Sequence, residues 1–152
     1  MKTQQTTISE VSLIYSSKVK ASDRPQVKCS RDGYNLFMQR WNHDTIEHVA
    51  EFKVMLMNRS NTVQGIMDVS KGGISGTVTD VRKLLRAIIK PNASGIIVCH
   101  NHTSGNLNPS ESDTKLTQKI KQAGMIMDIQ LLDHLILTTD DNYYSFADNG
   151  LL

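Results

Sequence analysis

Residues 95–99 (GIIVC) form a short, continuous apolar run in the second half of the sequence. Its length and its β-branched side chains are typical of a strand that is buried on both faces. The polar loop HNHTSGNLNP follows, and Ser110 can then cap a helix that we expect to end at Gly124. This succession of strand, loop and helix predicts a sheet with helices packed against it.

Hydrophobic periodicity predicts the remaining elements. Ser30 can cap a helix whose apolar positions follow at helical spacing, and a second helix is expected from near Asp80 to Pro91. Strands are predicted over residues 8–16, 52–58, 62–70, 129–139 and 143–147. This order mixes hairpins with crossover connections. The expected fold is therefore of the α+β type, with a mixed sheet flanked by helices.

Bulk composition describes an ordinary globular chain. The 152 residues are 39% hydrophobic and are expected to form a single domain, residues 1–152. A net charge of +2 does not favour a dedicated nucleic-acid binder, and the basic residues between 16 and 31 are more typical of a solvated surface. The two cysteines, Cys29 and Cys99, are too few for a disulfide framework. No apolar run approaches the roughly 20 residues of a membrane helix, so we expect a cytoplasmic protein with no membrane partner.

His100 and His102 lie two residues apart where the predicted strand ends, so their side chains should point to the same side. Asp113 falls in the first turn of the helix that follows. Each residue alone has an ordinary structural explanation, as a polar loop residue or a helix-end charge. Together, two imidazoles and a carboxylate suit zinc, with an open position left for water.

The spacing of these residues resembles a known signature. His100, His102, Ser110 and Asp113 match the pattern H-x-H-x7-S-x-x-D of the JAB/MPN (JAMM) metallopeptidases. HNHTSG is similar to the HNHPSG of the RadC family, with Thr103 in place of the usual proline, a change that removes no ligand. LLDHLI and YYSFAD also resemble the C-terminal strands of that family. The resemblance runs from about Glu51 to the C-terminus, and the motif-bearing core is expected over about 45–152.

The resemblance implies a cytidine-deaminase-like JAB/MPN architecture and one zinc ion per chain, held by His100, His102 and Asp113. It implies that Glu51, which opens the first core strand, is the general acid/base that takes a proton from a zinc-bound water. Ser110 would stabilise the oxyanion, cap the helix, or do both. The activity implied is that of a metallopeptidase or isopeptidase acting on an unknown protein or peptide. Loops 71–79 and 103–109 would select that substrate.

Other interpretations stay open at this point. The RadC family carries a DNA-repair label, so a DNA-associated accessory protein is the main alternative, although the balanced charge gives nucleic acid little support as a partner. A metal-free scaffold is a second alternative, against which the intact ligand positions count. The triplet HNH is too compact for an HNH nuclease. The sequence does not indicate an oligomeric state. Asn101 is interpreted as loop structure that faces away from the histidines. Asp133 and His134 are interpreted as a hydrogen-bonded structural pair, with a supporting role beside the metal ligands as the alternative.

Overall fold

The computed structural model describes residues 6–12, 14–72, 81–89 and 91–152. After a short 3-10 turn at Ala21–Asp23, the described residues form three helices and five strands. The helices are α1 (Ser30–Gln39), α2 (Val81–Ile89) and α3 (Glu111–Ile126). The strands are β1 (Glu51–Met57), β2 (Val63–Lys71), β3 (Gly95–Asn101), β4 (Gln130–Leu137) and β5 (Tyr143–Ser145).

The five strands form one sheet in the order β2-β1-β3-β4-β5. Strands β1 and β2 form an antiparallel hairpin, and β1 also pairs antiparallel with β3. The pairing of β3 with β4 is parallel, because α3 carries the chain back over the sheet, and β5 returns antiparallel to β4. The predicted α+β fold with a mixed sheet flanked by helices is confirmed.

The sheet separates two hydrophobic clusters, and β3 contributes to both. Every residue of β3 is buried. Ile96 and Val98 belong to the cluster that contains Leu84, Ile88 and Ile120 of helices α2 and α3, and this side is called the α3 face. Ile97 and Cys99 belong to the cluster that contains Tyr34 and Phe37 of helix α1, and this side is called the α1 face. Alternation along β3 therefore sends successive side chains to opposite faces.

The prediction of a strand over residues 8–16 is wrong. The described part of this segment has no strand, and Ile8, Val11 and Ile14 are 83%, 87% and 75% exposed. Its one side-chain hydrogen bond to the sheet region runs from the Tyr15 hydroxyl to the Gln64 carbonyl oxygen, among the described residues. Alternating apolar residues make a strand only where a neighbouring strand and a core receive them, and this segment packs against neither.

Two helix ends also differ from the sequence-based expectation. Cys29, not Ser30, occupies the N-cap position of α1, and it makes no side-chain cap hydrogen bond. The Ser30 hydroxyl instead contacts Tyr143 Oη and Asp148. Helix α3 continues past Gly124 to Ile126. The start of α2 near Asp80 and most of the loop 71–79 lie outside the described residues.

Gly124 is required by packing and not by the end of the helix. A Cβ atom placed on Gly124 would lie 2.5 Å from the backbone carbonyl oxygen of Ile129. The Ile129 N–H in turn donates to the Gly124 carbonyl, at 2.8 Å, where the chain turns from α3 into β4. This close approach of two backbones leaves no room for a side chain.

We expect Gly124→Ala to destabilise the protein by about 1–3 kcal/mol, because the new methyl group overpacks a rigid backbone contact. Gly33→Ala in α1 is the matched control, since its Cβ would meet only Ile97 and Leu135 at 3.5 Å. The control should stabilise by about 0.5–1 kcal/mol through the ordinary preference for alanine in a helix. Urea unfolding of both variants measures the difference, and equal effects of the two substitutions would contradict the packing argument.

None of the described helices is long and apolar enough to cross a membrane.

Candidate metal centre

The end of β3 and the start of α3 bring three potential metal ligands together. The Nε2 atoms of His100 and His102 lie 2.9 Å apart. Asp113 Oδ2 lies 3.0 Å from His102 Nε2, and Asp113 Oδ1 lies 3.3 Å from His100 Nε2. The two histidines share a side because extended pairing continues beyond β3, where the His102 N–H donates to the Leu137 carbonyl at 2.9 Å.

Asp113 reaches the histidines because it is part of the N-terminal cap of α3. The Ser110 hydroxyl oxygen accepts from the Asp113 N–H at 3.0 Å, and Asp113 Oδ2 accepts from the Ser110 N–H at 2.8 Å. These reciprocal bonds form a capping box, which orients the carboxylate at the helix N-terminus. Ser110 therefore acts as the predicted cap. Its oxyanion role stays a prediction. The cap uses a lone pair of the hydroxyl oxygen, so it does not occupy the hydroxyl proton that this role would need.

The ring of His102 is oriented so that its Nε2 lone pair faces the cluster. His102 Nδ1 lies 2.5 Å from the backbone carbonyl oxygen of Asn106. A carbonyl only accepts, so Nδ1 carries the proton, and Nε2 of the neutral ring carries the lone pair. Two imidazole nitrogens 2.9 Å apart beside a carboxylate need a cation between them, either a proton or a metal ion. The residues thus fit a divalent metal that prefers nitrogen and oxygen ligands.

Asp113 and the neighbouring histidines shift one another's pKa values. Burial raises the pKa of Asp113, but hydrogen bonds from His100 and His102 outweigh it and hold that pKa well below its usual range. The hydrogen bond to Asp113 raises the pKa of His102, against the opposing effect of burial. The carboxylate is therefore ionised at neutral pH, as a metal ligand must be.

His134 contacts the cluster directly, which supports the alternative of a role beside the ligand histidines. Its Nε2 lies 2.7 Å from His100 Nδ1, and its ring stacks on Phe146 at 4.7 Å. Burial lowers the pKa of His134 well below its usual value, so the ring is neutral. Asp133, the predicted partner, accepts from the backbone N–H of His134, at 2.7 Å, and does not contact the His134 ring. The two side chains point to opposite faces, because their β3 partners are Ile97 and Val98.

The structure does not bring Glu51 to the three ligands. In the β1–β3 register Phe52 is opposite His100, and these rings stack at 6.0 Å on the α3 face. Glu51, one residue earlier, has its carboxylate 3.6 Å from Lys53 Nζ, which lies over the Trp41 ring on the α1 face. The acid/base role of Glu51 stays a prediction. It requires the side chain to leave Lys53 and pass around the end of β1.

Asn101 faces away from the histidines, as predicted, and it ties the end of β3 to the chain that enters β1. Its amide donates to the carbonyl oxygens of Ile46 and Val49, at 2.7 and 2.9 Å, and its Oδ1 accepts from the Glu51 N–H at 2.7 Å. The residue is only 2% exposed. Asn101 is therefore a buried structural clamp that holds the end of β3 against the chain that enters β1.

Among the described residues, His100, His102 and Asp113 form the group whose ligand atoms all lie within 4.8 Å of one another. The sequence therefore identified all three members of this group. For His134 the sequence offered a role beside the ligands only as an alternative, since nothing local marks a mid-strand histidine as a neighbour of His100, 34 residues earlier.

Comparison with known proteins identifies a family that matches most of this chain. The model of the family described as "RadC-like JAB domain" matches residues 27–151. Curated relatives named UPF0758 protein include one from Flavobacterium johnsoniae, 50% identical over 101 residues, which are 66% of this chain and 44% of the relative. The relative from Porphyromonas gingivalis is 43% identical over 102 residues, 67% of this chain and 45% of its own length. The one from Clostridium novyi is 34% identical over 133 residues, 88% of this chain and 57% of its own. The chain thus spans about half the length of these relatives.

Proposed function

The chain belongs to the RadC-like JAB domain family, and from this we propose that it is a zinc-dependent hydrolase of the metallopeptidase or isopeptidase kind. One observation carries the proposal. Two imidazole nitrogens and an ionised carboxylate converge within 3.3 Å where a strand end meets a helix N-terminus. Three protein ligands are the number that catalytic zinc sites use, since a fourth position must stay open for water or substrate.

His100 and His102 would hold the ion through Nε2, and Asp113 through its carboxylate. Bound zinc supplies a Lewis acid that polarises a carbonyl group and lowers the pKa of water to about 7. The chain's own residues prepare that site. The capping box holds the Asp113 carboxylate in place, and the Asn106 carbonyl keeps the His102 proton on Nδ1. The Ser110 hydroxyl, at the same helix end, would donate to a developing oxyanion.

The substrate that we propose is a peptide or an isopeptide-linked protein, and the test is hydrolysis of a panel of fluorogenic peptide and isopeptide substrates. Zinc-loaded protein should cleave at least one class of substrate, and the His102→Ala protein should cleave none. Equal cleavage by both proteins would assign the activity to a contaminant. Cleavage by neither would leave a metal-binding domain and contradict the hydrolase proposal.

Glu51→Gln is expected to keep zinc, since Glu51 is not one of the three candidate ligands, and to lose hydrolytic activity, since we propose Glu51 as the acid/base. Elemental analysis and the same substrate panel measure the two properties. Turnover retained in the Glu51→Gln protein would contradict this role and leave Glu51 as a structural partner of Lys53. Asp68→Asn is a control for altered charge around Lys53, since Asp68 also bonds the Lys53 ammonium, at 2.5 Å.

We propose that the protein is cytoplasmic, which is supported by the two free cysteines among the described residues.

Nucleic acid as a partner stays a prediction. A salt titration of DNA binding tests it, because phosphate contacts weaken steeply as salt rises.

The two thiols are expected to differ in reactivity. Cys29 is exposed, whereas Cys99 is fully buried on the α1 face. Burial raises the pKa of the Cys99 thiol well above its usual value, so it stays protonated and unreactive. Ellman's reagent should therefore titrate one thiol in the native protein and both in urea. Rapid reaction of both thiols in the native state would contradict the packing of β3.

A further inference from the structure

A chain of hydrogen bonds leads from His100 into helix α3. His100 Nδ1 lies 2.7 Å from His134 Nε2, and His134 Nδ1 lies 2.6 Å from Thr117 Oγ1. Thr117 Oγ1 lies 2.6 Å from the backbone carbonyl oxygen of Asp113. We propose that this chain, called the Thr117–His134 relay, holds the His100 proton on Nδ1 and thereby turns the Nε2 lone pair toward the metal. Thr117 and His134 are then positioning residues for the proposed zinc site, on which this inference rests.

The direction of every proton in the relay follows from its last acceptor. The Asp113 carbonyl has only lone pairs, so the single hydroxyl proton of Thr117 must lie between these two oxygens. Thr117 Oγ1 can then only accept from His134, which places the His134 proton on Nδ1. His134 Nε2 is therefore an acceptor, and His100 Nδ1 must donate to it.

Burial keeps the relay in this single arrangement. Thr117 and His134 are both 0% exposed, so water does not compete for their hydrogen bonds. The His134 ring is held between Phe146, which stacks on it at 4.7 Å, and Phe52, which meets it edge-on at 5.8 Å. The ring thus keeps Nε2 toward β3 and Nδ1 toward α3. A neutral histidine in this position can donate in only one direction.

Both ligand histidines must have their Nε2 atoms free of a proton, and the relay fulfils this requirement for His100. A neutral imidazole binds a metal only through the nitrogen that lacks a proton, and a neighbouring acceptor usually selects which nitrogen that is. The Asn106 carbonyl selects it directly for His102. His100, at the buried end of the cluster, has an imidazole as its neighbour, which could either donate or accept. The Asp113 carbonyl removes this ambiguity through Thr117 and His134.

The test compares Thr117→Val with the matched control Thr117→Ser. Valine has the shape of threonine but cannot accept from His134, so the His134 proton should move to Nε2 and force the His100 proton onto its own Nε2. Serine keeps the hydroxyl and should leave both rings unchanged. Imidazole ¹⁵N NMR of the metal-free protein reports whether His100 Nδ1 carries a proton in each variant. A His100 Nδ1 without a proton in the wild-type protein would overturn the relay.

Zinc affinity gives the second readout, measured by competition with a chromophoric chelator. Thr117→Val should bind zinc about 10–100-fold more weakly, as expected when the partner of a metal-ligating histidine is lost, and Thr117→Ser should bind as wild type does. A purely structural role would lower the Tm of Thr117→Val without changing the tautomer or the affinity, and that result would contradict the proposal. If wild-type protein binds no zinc, the proposed zinc site fails, and NMR still decides whether the relay sets the tautomer.

Discussion

Protein carrying His102→Ala is expected to contain almost no zinc after purification, whereas wild-type protein should contain about one ion per chain. The substitution removes the most exposed of the three ligands and leaves His100 and Asp113 too few to hold an ion. It should disturb the fold little, because the His102 side chain is 18% exposed and lies at the edge of the core. Elemental analysis of protein made without added metal or a histidine tag measures the difference.

His48→Ala is the matched control, since it also removes one histidine, and His48 is exposed in the turn before β1. It should keep the wild-type zinc content. Equal zinc in wild-type and His102→Ala protein would show that the metal binds elsewhere. If wild-type protein holds no zinc even after reconstitution, the metal-free scaffold becomes the better interpretation, and the hydrolase proposal fails with the site.

Asn101→Ala is expected to lower the free energy of unfolding by about 3–5 kcal/mol, the largest stability effect that we predict for a single side chain. The substitution removes three hydrogen bonds at once and leaves the carbonyls of Ile46 and Val49 and the N–H of Glu51 without their partner. Each of these groups is desolvated by the surrounding protein, so each unsatisfied group adds its own cost. Urea unfolding followed by circular dichroism measures the total.

Asn101→Asp separates the two halves of this clamp. Aspartate can still accept from the Glu51 N–H but cannot donate to the two carbonyls, so it should recover only part of the lost stability. The folded Asn101→Ala protein should still bind zinc, because Asn101 points to the α1 face and the ligands point to the α3 face. A loss below about 1 kcal/mol in Asn101→Ala would mean that water replaces the clamp.

The three members of the candidate metal centre could be predicted because the features that bring them together are local. A two-residue spacing in extended chain puts His100 and His102 on one side whatever the rest of the fold does. Ser110 and Asp113 form a capping box from their own backbone and side chains, which places the carboxylate at the start of α3. The buried strand at 95–99 was also recognisable, since its composition alone excludes a solvent-facing position.

Other residues depended on partners that are distant in sequence. Alternating apolar residues in 8–16 predicted a strand, but pairing is a property of two segments, and the sheet ends at β2 on that side. Gly124 looked like a helix stop, yet its role is the close approach of Ile129 after the turn. Glu51 opens β1 as expected, but its contact with Lys53 Nζ, at 3.6 Å, was not indicated by the sequence.

The sequence by itself therefore determined the fold class and the ligand set of the candidate metal centre, because hydrophobic period, helix capping and short spacings act within a few residues. Only the tertiary structure decided which side chains surround those ligands. The parallel register of β3 with β4 brings His134 to His100, and the antiparallel register of β1 with β3 sets Phe52 opposite His100. Strand register is set by the packing of the whole sheet, and the local sequence scarcely distinguishes two registers one residue apart. A shift of one residue moves each side chain of the strand to the opposite face of the sheet.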